Sequence, residues 1–316
     1  MRSSYLMFIG IACALAACFV WGFIFIIPQF MTGFSSFEIV FGRYLFYSLI
    51  SWIIFLKQGN AFRQYPWPIW VKAIYFSFAS TFFYYTCFVL GLRYADPAIC
   101  ALVLSISPVT IAFYGNWKEK ECSYKSLIIP SILILLGLVI INIPHFALAR
   151  SMPEYSLGLL CCACSLLIWS WYVVANSHFL KKHPEISSTN WSSMVGVATL
   201  FWVILAIPLI FIFFPEHFVI EKYTQWNAEL LNFISGCMAL GIVCSWFGAY
   251  LWNKASLYLP VSLAGQLTIF ETIFGLIFVY IVAQKLPPYS EWLGITLLLG
   301  AVFYGIQTAR DAPQHA

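Results

Sequence analysis

Charge is what this chain has least of. Only 9% of its 316 residues are Asp, Glu, Lys or Arg and 62% are hydrophobic. Soluble domains carry about 25% charged residues, so a water-facing surface cannot be built from this inventory. Histidine is equally sparse: His145, His178, His183, His217 and His315 all fall in loops or at the ends of apolar runs. That excludes a histidine proton relay or a histidine-ligated metal inside the apolar body. Gly-rich phosphate loops, His-Glu-x-x-His and Gly-x-Ser-x-Gly are absent, so the chain brings no ATP-binding module and none of those catalytic motifs. No cofactor and no metal are expected. The net charge of +4 gives no basis for a nucleic-acid partner.

The ten cysteines show no disulfide framework. Cys13, Cys18, Cys87, Cys100, Cys161, Cys162, Cys164, Cys237 and Cys244 lie inside apolar stretches, and Cys122 lies in a loop. Cys161-Cys162-Ala163-Cys164 has no His or carboxylate in the body of its segment. These thiols read as small hydrophobes.

Hydrophobic length is what the chain does have. A membrane-crossing helix needs about 20 apolar residues. Ten such runs occur, at 5–31, 37–56, 69–92, 97–115, 126–144, 156–178, 191–214, 229–252, 260–283 and 291–309. The first follows Arg2 and holds Ala12, Ala14, Ala16 and Ala17, features that a signal peptide shares; its length to about Met31 marks it as a span instead. The expected fold is an all-α integral membrane protein of ten transmembrane helices in the lipid bilayer.

Lysine and arginine set the orientation, because positive loops stay in the cytoplasm. With the N-terminus inside, the cytoplasmic set is Arg2, Lys57, Arg63, Lys72, Lys118, Lys120, Lys125, Lys181, Lys182, Lys254 and Arg310. The outer set is Arg93, Arg150, Lys222 and Lys285, with Arg43 left inside a span. Both termini are then cytoplasmic, in the cytoplasmic (inner) membrane.

The chain also repeats itself. Residues 91–115 and 255–279 align at an offset of 164, pairing Tyr94 with Tyr258 and Ser107-Pro108 with Glu271-Thr272. Trp21 of the first span resembles Trp169 of the sixth, and Gly137 resembles Gly300. Each half holds five spans, an odd number, so the second half must be inverted relative to the first. Residues 1–150 and 151–316 are expected to form two inverted five-helix repeats around a central cavity, with a solute site near the midplane.

Trp21-Gly22, Phe41-Gly42-Arg43, Gly91-Leu92-Arg93-Tyr94-Ala95 and Ser105-Ile106-Ser107-Pro108 occur in that order. Tyr250-Leu251-Trp252-Asn253-Lys254-Ala255 and Phe270-Glu271-Thr272 follow in the second half. In order and spacing they make the whole chain resemble the EamA-type ten-helix branch of the drug/metabolite transporter superfamily. The resemblance implies transport of small organic solutes such as amino acids and amphipathic metabolites or drugs, through a cavity between two halves. Where the family often has Glu-Pro in span nine, Thr272 follows Glu271, which leaves a proline kink there without its proline.

Glu271 is the sharpest candidate. It lies eleven residues past Pro260, which at about 1.5 Å per residue is about 16 Å into the membrane. A charge at that depth costs about 2.5–3.5 kcal/mol on insertion scales and normally faces a cavity or a partner. It suits solute binding or the loading and release of a proton; interhelical bonding is the plainer reading. Arg43 keeps its charge throughout, so it binds an anionic solute or bonds a neighbouring helix or carboxylate, Glu38 being about one turn away. Ser105 and Ser107 belong to the same interface or to helix packing. Gln266 joins it only if its helix is irregular, since five residues separate it from Glu271. Trp21, Tyr85, Trp169 and Tyr250, with Phe25, Tyr84, Tyr172 and Trp246, are expected along the cavity, which would favour amphipathic or aromatic solutes. Ala301 and Gly305 form a small-xxx-small pair that leaves a homodimer open.

These residues point to a secondary transporter, an exporter by expectation, working by alternating access with proton coupling left open. The alternatives are an uncoupled facilitator or exchanger and, in another class, an intramembrane lipid-modifying enzyme. The latter needs clustered acids, bases or metal ligands, and only Glu271 and Arg43 are available. The orientation is directly testable. An impermeant thiol reagent added outside should label Glu216→Cys and not Lys182→Cys; the reverse pattern would invert the topology.

Overall fold

The computed structural model describes residues 2–95, 97–146, 155–213 and 220–311. Position 216 therefore lies outside the described residues. Ten helices are long and apolar enough to cross a membrane. They are Tyr5–Phe30, Ser36–Lys57, Trp67–Tyr94, Ile99–Glu119, Tyr124–Asn142, Tyr155–Lys182, Ser188–Pro208, Ala228–Tyr258, Val261–Ala283 and Tyr289–Thr308. Numbered one to ten in chain order, they fall on the ten expected runs. The main difference is span eight, which continues six residues past its expected end at Trp252. A short helix, Gly59–Arg63, lies between spans two and three.

Local chemistry accounts for where the spans begin and end. Span two starts at a capping box in which the Ser35 hydroxyl accepts from the Glu38 amide at 3.2 Å and Glu38 accepts from the Ser35 amide at 2.6 Å. Span three starts after Pro66, with Pro68 inside its first turn, where a missing amide hydrogen costs nothing. Spans four and nine both end on a left-handed residue, Lys120 at φ 52° and Gln284 at φ 50°, which lie 164 positions apart in the sequence.

Five spans are irregular, the first because it ends in 3-10 turns at Phe23–Phe25 and Ile27–Phe30. Spans three and eight each contain π-helical turns, at Phe78–Phe83 and Ala239–Phe247. Spans four and nine are each broken in two. The fourth consists of Pro97–Ser105 and Ser107–Glu119, and Pro108 removes an amide that an unbroken helix would use. The ninth consists of Val261–Leu267 and Ile269–Ala283. No proline stands there; the Thr268 hydroxyl and amide both donate to the Gly265 carbonyl, at 2.6 and 3.2 Å. The break survives the loss of Glu-Pro because a threonine bonds back onto its own helix.

Glycines decide how closely the spans approach. A Cβ on Gly137 in span five would sit 2.9 Å from the Gly294 carbonyl of span ten. One on Gly115 would meet Val261 at 2.7 Å, and one on Gly265 would meet Ile111 at 2.7 Å and the Ala112 amide nitrogen at 2.9 Å. Ser107–Glu119 and Val261–Leu267 therefore pack tightly, both at the end of the molecule that carries Lys57, Lys118, Lys120, Lys181 and Lys182. The other halves of the same spans part company. Pro97–Ser105 packs on spans three, five and six, and Ile269–Ala283 packs on span one. Spans four and nine thus form a V that closes toward the lysine-rich end.

Ala301 and Gly305 are both buried within the chain, with Gly305 facing Gln266 of span nine, so this pair serves packing inside the protomer. Cys100 and Cys162 differ from the expected small-hydrophobe role: they are joined as a disulfide with Cα atoms 5.7 Å apart. Gly91 lies between them and lets spans three, four and six converge. The eight other cysteines are free.

Gly265→Leu should force spans four and nine apart and destabilise the protein by about 1–3 kcal/mol, as overpacking does. Thermal unfolding in detergent reads this out. Gly300→Leu is the control, because nothing lies within 4 Å of a Cβ at Gly300; equal losses from both would refute the close approach.

Candidate functional site

A guanidinium deep in span two organises the centre. Arg43 is only 9% exposed. Its Nε donates to the Ser245 hydroxyl at 2.8 Å and its Nη1 donates to the Tyr85 hydroxyl at 2.6 Å. Its charge also lies over the Tyr44 and Tyr85 rings, 5.5 and 5.7 Å from their centroids, a cation–π arrangement. Both hydrogen-bond partners are neutral, and among the described residues no carboxylate pairs with this charge by direct contact.

The expected neighbour Glu38 does not take that role. It is fully buried and spends its oxygens on the Ser35 amide, the Tyr223 hydroxyl at 2.9 Å and the Lys222 ammonium at 3.7 Å. It ties the start of span two to the segment between spans seven and eight. Burial and the bond to Glu38 push the Tyr223 phenol above its ordinary range.

The π-helical turn of span eight explains how Ser245 reaches Arg43. In that register the Ser245 hydroxyl donates five residues back, to the Leu240 carbonyl at 2.9 Å, and accepts from Arg43. One residue earlier the Cys244 carbonyl accepts from the Trp21 indole at 2.9 Å. Such π turns recur at functional sites.

From Arg43 a chain of rings runs across the molecule. Tyr44 meets Tyr85 at 5.2 Å, Tyr85 meets Tyr84 at 5.0 Å, and Tyr84 meets Trp169 at 5.2 Å. Trp169 then meets Tyr172 at 5.6 Å and Trp21 at 6.5 Å, and Trp21 meets Trp252 at 5.4 Å. Trp21, 8% exposed, is packed by spans one, six and eight.

Glu271 stands in the first turn of Ile269–Ala283, at the break of span nine, where the positive end of the helix favours an anion. Among the described residues its carboxylate makes no hydrogen bond or ion pair. It lies within Coulombic reach of Arg43 and Tyr84, which places it beside the aromatic chain. Ser107 occupies the matching place, the first turn of Ser107–Glu119 at the break of span four. Ser105 donates back to the Leu102 carbonyl at 2.7 Å, and Thr110 bonds Ser170 of span six at 2.6 Å.

Two candidates fall elsewhere. Gln266, 2% exposed, faces Gly305 of span ten, and its Oε1 has no partner among the described residues. It precedes the break at Thr268, so the irregularity does not turn it toward Glu271. Tyr250 stacks on Trp246 and Phe247 and lies under the Lys254 ammonium.

A cavity of about 250 Å³ opens between spans two, three and seven, bordered by Tyr44 and Tyr85, the two rings over which the Arg43 charge lies. Phe41, Tyr44, Phe82, Tyr85, Trp202 and Val203 form much of its wall, with Thr81, Thr86 and Thr199 as its hydroxyls. Of the residues singled out from sequence, only Tyr85 lines it. Trp202 is fixed there by its indole, which donates to the Ser77 hydroxyl at 3.0 Å. Sequence reasoning also passed over an amide network that joins spans six, seven and eight. In it Asn176 donates to Asn253 at 2.8 Å, Asn253 donates to Ser192 at 2.8 Å, and the Trp191 indole donates to Asn176 at 2.7 Å. Asparagine inside an apolar span was the available signal.

This arrangement has relatives. The EamA-like transporter family matches residues 8–143 and again residues 156–305. The chain belongs to that family. It is a multi-pass inner-membrane protein and a transporter of small solutes. This EamA-like transporter is 27% identical to the inner membrane protein YtfF of Escherichia coli over 96% of this chain and 97% of that one. It is 23% identical to the aromatic amino acid exporter YddG of Ancylobacter novellus, over 80% of each chain. One solved crystal structure of a protein shares its fold, with a TM-score of 0.75 at 22% identity over 98% of each chain.

Arg43→Lys keeps the charge of the EamA-like transporter but not the planar fork that reaches Ser245 and Tyr85 together. Hydrogen bonds to charged groups contribute about 1.5–3 kcal/mol each, so thermal unfolding in detergent should show a loss of that order. An unchanged midpoint would refute the bridging role.

Proposed function

We propose that this transporter carries a small amphipathic organic solute with an anionic group, by alternating access between residues 1–150 and 151–316, in the outward direction. The observation that carries this reading is Arg43, a buried cation whose hydrogen-bond partners Ser245 and Tyr85 are neutral and whose ring neighbours Tyr44 and Tyr85 border a largely apolar cavity. A solute carboxylate would add the missing negative charge through a charge-assisted bond. The apolar part of the solute would lie against Phe82, Tyr85 and Trp202, and the name of the YddG relative, an aromatic amino acid exporter, favours the same class.

Inversion of the halves is supported by matched irregularities: π turns in spans three and eight, breaks in spans four and nine, and left-handed ends at Lys120 and Gln284. The eleven cationic residues assigned to one side against four on the other support cytoplasmic termini. Glu271, at the crotch of the V and without a bonded partner among the described residues, would be loaded and released as the halves rock. A facilitator or exchanger without ion coupling would use the same Arg43 site but would leave Glu271 with no titrating role.

Proteoliposomes screened with aromatic and aliphatic amino acids, with and without a pH gradient, test both. Glu271→Gln keeps the volume and removes the titration, so gradient-driven transport per folded molecule should fall steeply while gradient-free exchange survives. Full gradient-driven transport by a well-folded Gln variant would rule out coupling through Glu271. Failure of every anionic amphiphile to move would rule out the solute class.

A further inference from the structure

The V formed by spans four and nine is closed at one end by a contact that nothing in the site requires. Glu121 lies in the turn after span four and is mostly shielded from solvent. Its Oε1 accepts from the Val261 amide at 2.6 Å, and its Oε2 accepts from the Ser262 amide at 2.9 Å and the Ser262 hydroxyl at 2.8 Å. Lys181, at the end of span six, adds an ion pair at 3.4 Å. The carboxylate thus stands where an N-cap belongs. The residue that does occupy the cap, Pro260, has no side-chain acceptor, and the first amides of a helix have no partner within it.

The turn that presents Glu121 is itself held. Lys120 is left-handed, and Asn116 both donates to the Cys122 carbonyl and accepts from the Cys122 amide, each at 2.9 Å. Glu121 belongs to the first half of the chain, whereas Val261, Ser262 and Lys181 belong to the second. At the offset of 164 that relates the two halves, Glu121 corresponds to Lys285, an exposed cation with no acceptor to offer an amide. At the repeat-related position, then, no carboxylate stands to accept from a helix start.

We infer that Glu121 is a latch that holds spans four and nine together at the lysine-rich end, so that the closed-inside, open-outside arrangement is the favoured state. The inference rests on the reading of alternating access between the halves. Opening toward the lysine-rich side requires the carboxylate to leave two amides, a hydroxyl and an ammonium at once. Lys285, at the repeat-related position, can accept none of these bonds. The latch would thereby bias the cycle toward a site that faces outward at rest.

Amide hydrogen exchange on the full-length protein in nanodiscs tests this without depending on transport. Two depths are read together: the helix start, Val261–Ala264, and the break, Gly265–Glu271. In Glu121→Ala both should exchange at least tenfold faster, because opening the V admits water to its crotch. Ser262→Ala, which removes one bond and keeps the carboxylate, should give a smaller rise at both. Peptides from spans five and ten should stay as slow as in the parent, which shows the fold is intact. Faster exchange confined to Val261–Ala264 would make Glu121 a local cap and overturn the latch. So would unchanged exchange at both depths in a well-folded variant. Failure of the transport reading would show separately, as an absence of solute movement in proteoliposomes with the exchange pattern unaffected.

Discussion

A guanidinium held away from water is tolerable only where the protein supplies donors' partners and polarisable surfaces for it. Arg43 obtains these from three different spans: Ser245 of span eight, Tyr85 of span three and the ring of its neighbour Tyr44. The requirement reaches outward from there. Ser245 is in place because span eight winds as a π helix around it, and Tyr85 follows directly on the π-helical turn of span three. The cation, the two irregular helices and the ring chain toward Trp169 form one interdependent unit.

The irregularities cost backbone hydrogen bonds, and within a bilayer each lost bond must be replaced. Here the replacements are the site. The Cys244 carbonyl in the π-helical stretch of span eight takes the Trp21 indole, and the Gly265 carbonyl at the break of span nine takes the Thr268 hydroxyl. The breaks in spans four and nine also bring two helix starts to the middle of the chain's apolar thickness, one carrying Ser107 and the other Glu271. Helix starts favour negative charge, so Glu271 and an anionic solute would share one electrostatic environment with Arg43.

Packing sets which parts can separate. Gly115 and Gly265 let spans four and nine touch through their backbones at the lysine-rich end, and Glu121 adds polar bonds across the same seam. Toward the other end the same spans rest on different neighbours, span four on spans three, five and six and span nine on span one. Tightness on one side and divergence on the other give the molecule a direction.

Much of this was legible in the sequence, because bilayer thickness and hydropathy determine spans with little reference to tertiary context. The ten runs and the isolation of Glu271 and Arg43 in apolar surroundings could be read residue by residue. Gln266 could not be placed, since whether it shares a face with Glu271 depends on where the break falls between them, at Thr268, and no proline announces that break. Tyr250 and Trp21 look alike in sequence, yet one lies beneath Lys254 and the other donates to a carbonyl in the π-helical stretch of span eight. The pairing of Cys100 with Cys162 depended on Gly91, which lets three spans converge. Arg43 could have bonded Glu38, one turn away; tertiary structure assigned Glu38 to Tyr223 and Lys222 and left Arg43 to Ser245, 202 positions distant. The sequence by itself determined which groups must be buried, because hydrophobic length is a local property. Their partners were decided only in the tertiary structure, because a helix's rotation about its axis is set by its neighbours.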